Sequence, residues 1–333
     1  MQVRQGAEDF LAAAGWGRAR ILPLAGDASF RRYFRVVDRA DRAAGADKGG
    51  RQAVLMDAPP AHEDVRPFLS VARLLQDAGF AAPRILAEDI PRGFLLIEDF
   101  GDRLMGPVLQ AEPELEAGIY ADAVDLLAAL HANARPGALA PYDRAALLRE
   151  VLVFADWYAR AAGIAVDVPA YVAAWDAVWP DVLAQTSAHP VVTLRDFHAD
   201  NLMLLDRPGV QSLGLLDFQD ALAGHPAYDL VSLLQDARRD VSPALEAAML
   251  DRFAGPGNAA FRASYEVLGA QRNAKILGVF VRLRDRDGRT GYVERLPRVW
   301  SYLDRNLAHP ALGPVRAWFD TNVPAHLRAP WCR

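Results

Sequence analysis

Apolar and polar residues follow two different rhythms along the chain, and the change between them falls near residue 100. In the first hundred residues, short apolar runs are bounded by Gly, Pro and Asp. "RARILPLAG", "RRYFRVVD", "AVLMDAP", "PRILAEDI" and "GFLLIEDF" read as five strands. Two stretches of this region instead repeat apolar residues every three or four positions. Residues 6–15 predict a short helix, and "EDVRPFLSVARLLQDAGF" a longer one ending near Gly79. Beyond residue 102 the three-and-four spacing dominates. "LEAGIYADAVDLLAALHA", "YDRAALLREVLVFADWYAR", "VPAYVAAWDAVWPDVL", "AYDLVSLLQDAR", "PALEAAMLDRFA", "AFRASYEVLGAQRNAKILGVFVRL" and "LPRVWSYLDRNLA" predict amphipathic helices. Only two short strand–loop segments interrupt them, "TLRDFHADNLMLL" from Thr193 and "LGLLDFQDA" from Leu213.

The expected fold is therefore α+β. Residues 1–100 form a small N-terminal lobe with a five-stranded sheet and a helix, and residues 101–333 a large, mainly helical C-terminal lobe. A length of 333 residues suits two lobes. The expected cleft near residue 100 is a favoured place for a ligand.

Charge and composition narrow the function classes. The formal net charge is −5 and no basic tail is visible, so nothing favours a nucleic-acid partner. A single cysteine, Cys332, excludes a disulfide framework within one chain. No apolar run reaches the ~18–20 residues of a membrane span. Glu8 and Asp9 stand where a signal peptide needs an apolar core. A cytoplasmic protein without membrane partners is expected. The sequence does not fix the oligomeric state, and a monomer is the default.

The chemistry lies in the two interrupting segments. Asp196 and Asn201 are five apart across a turn, and Asp217 ends an apolar strand. Two carboxylates and a carboxamide suit Mg²⁺, a hard cation that keeps substrate phosphates among its ligands. Phosphoryl transfer uses one carboxylate to take the acceptor's proton, and an amide and a second carboxylate to hold the metal. Asp and Asn are also frequent turn formers, so D-x-x-x-x-N alone arises readily by chance. Its place between a strand-rich front and a helical back favours the functional reading. Asp200 and Asp220 are either solvated carboxylates or outer partners of the metal, and His198 is expected to brace the loop.

"LRDFHADN" resembles the H-G-D-x-x-x-x-N loop of the aminoglycoside phosphotransferase and choline kinase family. "LLDFQD", "GHPAYDLVSLL" and "LLAALHANA" resemble further segments of that family, in the same order. The resemblance implies a protein-kinase-like fold, with ATP and Mg²⁺ as cofactors. It implies Asp196 as catalytic base, Asn201 and Asp217 as metal ligands, and Asp229 as a brace. Adenine would meet backbone near Glu98 to Phe100. "PLAGDASFRRYFRV" has the strand–turn–strand form of a phosphate-covering loop, with backbone N–H groups of Gly26, Asp27, Ala28 and Ser29 facing phosphate. A plain hairpin fits the same residues. Where the family should place a lysine on the third strand, Met56 stands, and Lys48 falls some eight residues early. Arg31 or Arg32 is expected to replace that lysine; a solvated, arginine-rich edge strand is the alternative.

For the acceptor, the chain carries ten Lys/Arg and five Asp/Glu between Arg262 and Arg305. Arg272 and Lys275, three apart on one helix face, are candidates to receive an anionic or acetamido sugar, or else snorkelling surface cations. Trp157 is a candidate to stack on a sugar ring or a core aromatic, and Glu150 a further acceptor contact. "GDASFRRYFRV", "LMDAPP", "FADWYA", "QRNAKILGVF" and "LPRVWSYL" further resemble bacterial anomeric sugar kinases of cell-wall recycling. That resemblance implies an N-acetylmuramate or N-acetylglucosamine acceptor, phosphorylated at C1. Two rivals stay open: a family kinase with another acceptor (aminoglycoside, choline-like or amino alcohol), and a non-catalytic nucleotide-binding scaffold. Met56 favours the scaffold, and the intact Asp196, Asn201 and Asp217 oppose it.

Overall fold

The computed structural model describes residues 3–24, 30–38, 50–328 and 331. Gly26, Asp27, Ala28, Ser29, Lys48 and Cys332 lie outside the described residues. Helix α1 (Ala7–Ala13) precedes strands β1 (Arg20–Pro23), β2 (Arg32–Val37) and β3 (Gln52–Asp57). Helix α2 (Arg66–Asp77) and strands β4 (Ile85–Asp89) and β5 (Phe94–Glu98) follow. The strands form one antiparallel sheet in the order β1-β2-β3-β5-β4. Strands β3 and β5 are central and buried on both faces, which explains their unbroken apolar runs. Helix α1 covers one face, with Phe10 stacked on Phe94 at 5.8 Å between ring centroids. The five strands and both helices match the sequence pattern.

The helical part begins with α3 (Met105–Ala111), α4 (Glu116–Asn133) and α5 (Arg144–Val153). Helices α6 (Val168–Asp176) and α7 (Pro180–Ala188) lead into β6 (Val191–Thr193). Strands β7 (Leu202–Leu204) and β8 (Leu213–Leu215) pair as a hairpin, and β9 (Leu222–Gly224) pairs with β6. Helices α8 (Ala227–Leu234), α9 (Pro243–Ala254), α10 (Ala259–Asp285), α11 (Leu296–Leu307) and α12 (Gly313–Asn322) complete the order.

The chain divides into two compact units, Met1–Leu104 with Leu202–Asp220, and Met105–Asn201 with Ala221–Arg333. The hairpin joins the first unit through backbone bonds. Leu215 N–H donates to Ala81 C=O at 2.8 Å, and Leu204 N–H to Arg103 C=O at 2.8 Å. Gly214 also lies against Phe100, whose ring would sit 2.6 Å from an added Cβ. A single boundary at residue 100 cannot express this return of the chain.

Two of the expected long helices are broken. Past α5 the chain passes into a π-helical turn, Phe154–Ala159. There α10 approaches so closely that a Cβ on Gly278 would lie 2.2 Å from Val153 C=O. Pro180 starts α7 as a new helix, because it lacks the N–H that a continuous helix would need. Among the described residues no helix is long and apolar enough to cross a membrane.

Candidate active site

Strand β6 delivers the chain to the 194–201 loop in the helical unit. Among the described residues only two non-glycine residues have positive φ, Arg195 at 72° and Asp217 at 55°. One precedes the candidate base and the other is the candidate metal aspartate. Such conformations cost about 1–3 kcal/mol each and persist where surrounding contacts over-determine them.

Around Arg195 those contacts are explicit. Asp229, fully buried in the first turn of α8, accepts the N–H of Leu194 at 2.6 Å and of Arg195 at 2.7 Å. Burial lifts its carboxyl to about 7, against the pull of those two bonds. One turn on, Ser232 donates to Arg195 C=O at 3.2 Å and accepts from Arg272 at 2.8 Å. The Arg195 guanidinium pairs with Glu150. Glu150 also accepts from Lys275 Nζ at 2.9 Å, Gln271 at 2.9 Å and the Tyr142 hydroxyl. Burial disfavours the Glu150 charge, but Lys275 and then Arg195 hold its carboxyl down at about 2. Arg195 is thus held at its N–H, its C=O and its side chain.

Asp196, next in the chain, is half-buried, and its carboxylate makes no hydrogen bond among the described residues. Asn201 Nδ2 donates to Asp196 C=O at 2.9 Å. A carbonyl acceptor demands the amide nitrogen there, so the carboxamide oxygen points elsewhere and stays available to a cation. The same nitrogen meets His198 Nε2 at 3.3 Å. Burial first, then the charges of Arg238 and Arg272, keeps His198 well below the usual histidine range. A neutral His198 accepting from Asn201 braces the loop.

The other acidic segment belongs to the first unit. Asp217 follows β8 and accepts from Arg31 at 3.2 Å and Gln219 at 2.9 Å. Phe218 is fully buried and stacks on Phe68 of α2 at 4.9 Å. Met56 is fully buried in β3, opposite Tyr33 and Leu95. Arg32 bonds to buried Asp57 at 2.5 Å, beside Arg4 at 3.0 Å. Arg31 therefore reaches the Asp217 carboxylate and Arg32 is committed to Asp57. Glu98 pairs with Arg84 at 3.1 Å and Arg207 at 2.6 Å. Burial raises its carboxyl, but hydrogen bonds from Arg84 and then Arg207 bring it below the usual range. Phe100 is half-buried with the Arg207 guanidinium 5.3 Å from its ring centroid.

Of the acceptor candidates, Glu150, Arg272 and Lys275 meet in the network that grips Arg195. Trp157 sits half-buried on the π-helical turn, outside that network. Sequence reasoning missed Arg195, Ser232 and Tyr142 as members. Their partners lie far away in sequence, and only the polar residues inside the apolar helix α10 signalled a buried network.

A five-stranded antiparallel sheet, a helical unit and two acidic segments, each bent at a positive-φ residue, define a protein-kinase-like phosphotransferase. The APH phosphotransferase enzyme family model matches residues 20–264, and the chain belongs to that family. The chain is 38% identical to an N-acetylmuramate/N-acetylglucosamine kinase of Caulobacter vibrioides, over 96% of both chains. It is 37% identical to an enzyme of the same name from Pseudomonas aeruginosa, covering 90% of this chain and 88% of the relative. A streptomycin–ATP complex of an aminoglycoside phosphotransferase superposes with a TM-score of 0.56 at 14% identity, over 93% of this chain and 98% of that one. The protein is a phosphotransferase with an alcohol group as acceptor.

Proposed function

We propose that the protein transfers the γ-phosphate of ATP to the anomeric (C1) hydroxyl of N-acetylmuramate and N-acetylglucosamine, a step of peptidoglycan recycling. The observation that carries this reading is Asp196: an unengaged carboxylate directly after a residue gripped at three points. The names of the relatives supply the acceptor class. The first unit is proposed to bind the nucleotide, with adenine near Glu98 to Phe100. Residues Gly26 to Ser29 are proposed, on sequence alone, to cover its phosphates. Asp196 orients the sugar hydroxyl and takes its proton as the new P–O bond forms and the bond from the γ-phosphorus to the departing ADP breaks.

The freed carboxamide oxygen of Asn201 and the carboxylate of Asp217 are hard oxygen donors that fit Mg²⁺, and both are proposed as its ligands. The metal would neutralise charge on the phosphates. Glu150, Arg272 and Lys275 act on the acceptor indirectly, by fixing Arg195 and hence Asp196. Trp157 is proposed as a stacking face for the sugar. We place the protein in the cytoplasm, where ATP is available, and expect a monomer.

Mass spectrometry after incubation with Mg-ATP and a panel of acceptors tests this reading. A mass gain of one phosphate on the two amino sugars is expected. Transfer to choline or an aminoglycoside alone would overturn it.

The two arginines near the missing lysine separate cleanly. Arg31→Ala should raise the ATP KM by roughly tenfold or more, the worth of one charge-assisted hydrogen bond. Arg32→Ala should instead lower the melting temperature with a smaller KM effect, because it strips a partner from buried Asp57. Steady-state kinetics with thermal denaturation checks both. An unchanged KM in Arg31→Ala would remove Arg31 from nucleotide binding.

A further inference from the structure

The helical unit holds a cavity of about 410 Å³ against the 194–201 loop, in the range of small-molecule sites. Gly106, Asp200, Asp236, Arg238, Arg239 and Arg295 are among its walls. Asp236 is fully buried just past the end of α8. One of its oxygens accepts the Arg238 N–H at 2.9 Å, and the other has no hydrogen-bond partner among the described residues. A buried carboxylate oxygen left unpaired is costly unless a ligand brings it a hydrogen.

The arginines are not equivalent. Arg239 is committed to Glu116. Arg238 stands 3.6 Å from Asp200 and 3.7 Å from Asp236, near enough for attraction and too far for a hydrogen bond. Arg295 has no hydrogen bond or ion pair among the described residues; its guanidinium lies 5.1 Å from the Tyr292 ring centroid. Two guanidinium groups with unspent N–H donors thus border a cavity that also offers an unpaired carboxylate oxygen. A Cβ at Gly106 would sit 2.4 Å from Asp200 Oδ1, so a side chain there would displace the Asp200 carboxylate.

We propose that Arg238 and Arg295 form a subsite for a carboxylate carried by the acceptor sugar, while Asp236 takes a hydrogen from a sugar hydroxyl or amide. This rests on the sugar-kinase reading above and deepens it. A planar N–H fork matches a carboxylate, whereas a cationic acceptor would meet repulsion. N-acetylmuramate differs from N-acetylglucosamine by a lactyl ether that ends in a carboxylate. The subsite therefore separates the two sugars, with the carboxylated one gaining contacts the other lacks.

The test compares kcat/KM for the two sugars in the wild-type protein, Arg238→Gln and Arg295→Gln. The ratio of N-acetylmuramate to N-acetylglucosamine should fall roughly 10- to 100-fold in each variant, mainly through KM, the worth of a charge-assisted hydrogen bond. Arg295→Gln removes no hydrogen bond among the described residues, so it gives a reading even if Arg238→Gln fails to fold. An unchanged ratio in an active Arg295→Gln variant overturns the subsite alone. A wild-type protein that phosphorylates neither sugar overturns the kinase reading and the subsite with it.

Discussion

Asp196→Asn should lose roughly 10²- to 10⁴-fold in kcat, the contribution typical of a positioned general base. The substitution keeps shape and hydrogen-bonding capacity, but the amide cannot take a proton. Because the Asp196 carboxylate makes no hydrogen bond among the described residues, the melting temperature should stay at the wild-type value. ATP affinity, measured by calorimetry, should also hold. ADP release coupled to acceptor gives the turnover. A variant retaining more than about a tenth of wild-type kcat would show that another group takes the proton.

Glu150→Ala should destabilise the protein by about 2–4 kcal/mol, because it removes the buried carboxylate that the half-buried Lys275 and Arg195 side chains both face. The Tyr142 hydroxyl and Gln271 amide lose an acceptor as well. Urea unfolding measures the loss, and a value below about 1 kcal/mol would mean that the network contributes no more than an exposed ion pair. Turnover should fall with stability, since Arg195 loses its side-chain anchor beside the base. The sign of the pH effect follows from the same network. The folded carboxyl titrates near 2, below the ~4.3 of a free glutamate. Its contribution is therefore complete above that ordinary value and is lost as pH falls towards 2.

The sheet was legible in sequence because each strand is a short apolar run closed by Gly, Pro or Asp. Helix α3 was not, since its seven residues include Gly106 and Pro107 and span too few turns to show a period. The candidate base and metal ligands stood out because spacing and residue type carry the chemistry directly. Arg272 and Lys275 could be placed on one helix face, but their partner Glu150 lies 125 positions from Lys275. A reading from one helix therefore gave the two cations to solvent or substrate, when packing gives them to Ser232 and Glu150. The positive φ of Arg195 is similarly invisible in sequence, because contacts from α8 and α10 impose it on a residue with no preference for it. Asp236, Arg238 and Arg295 escaped notice for the same reason. Their cavity exists only once α3, the end of α8 and the 290–295 turn meet the catalytic loop.

The central claim is that phosphate reaches the anomeric hydroxyl of an amino sugar. Proton-coupled phosphorus NMR of the product formed from Mg-ATP and each of the two sugars reads that position directly. A new resonance split by the anomeric proton, appearing with an equal amount of ADP, is the expected result. A phosphate coupled instead to the two protons at C6, or ADP formed with no sugar phosphate, would contradict it.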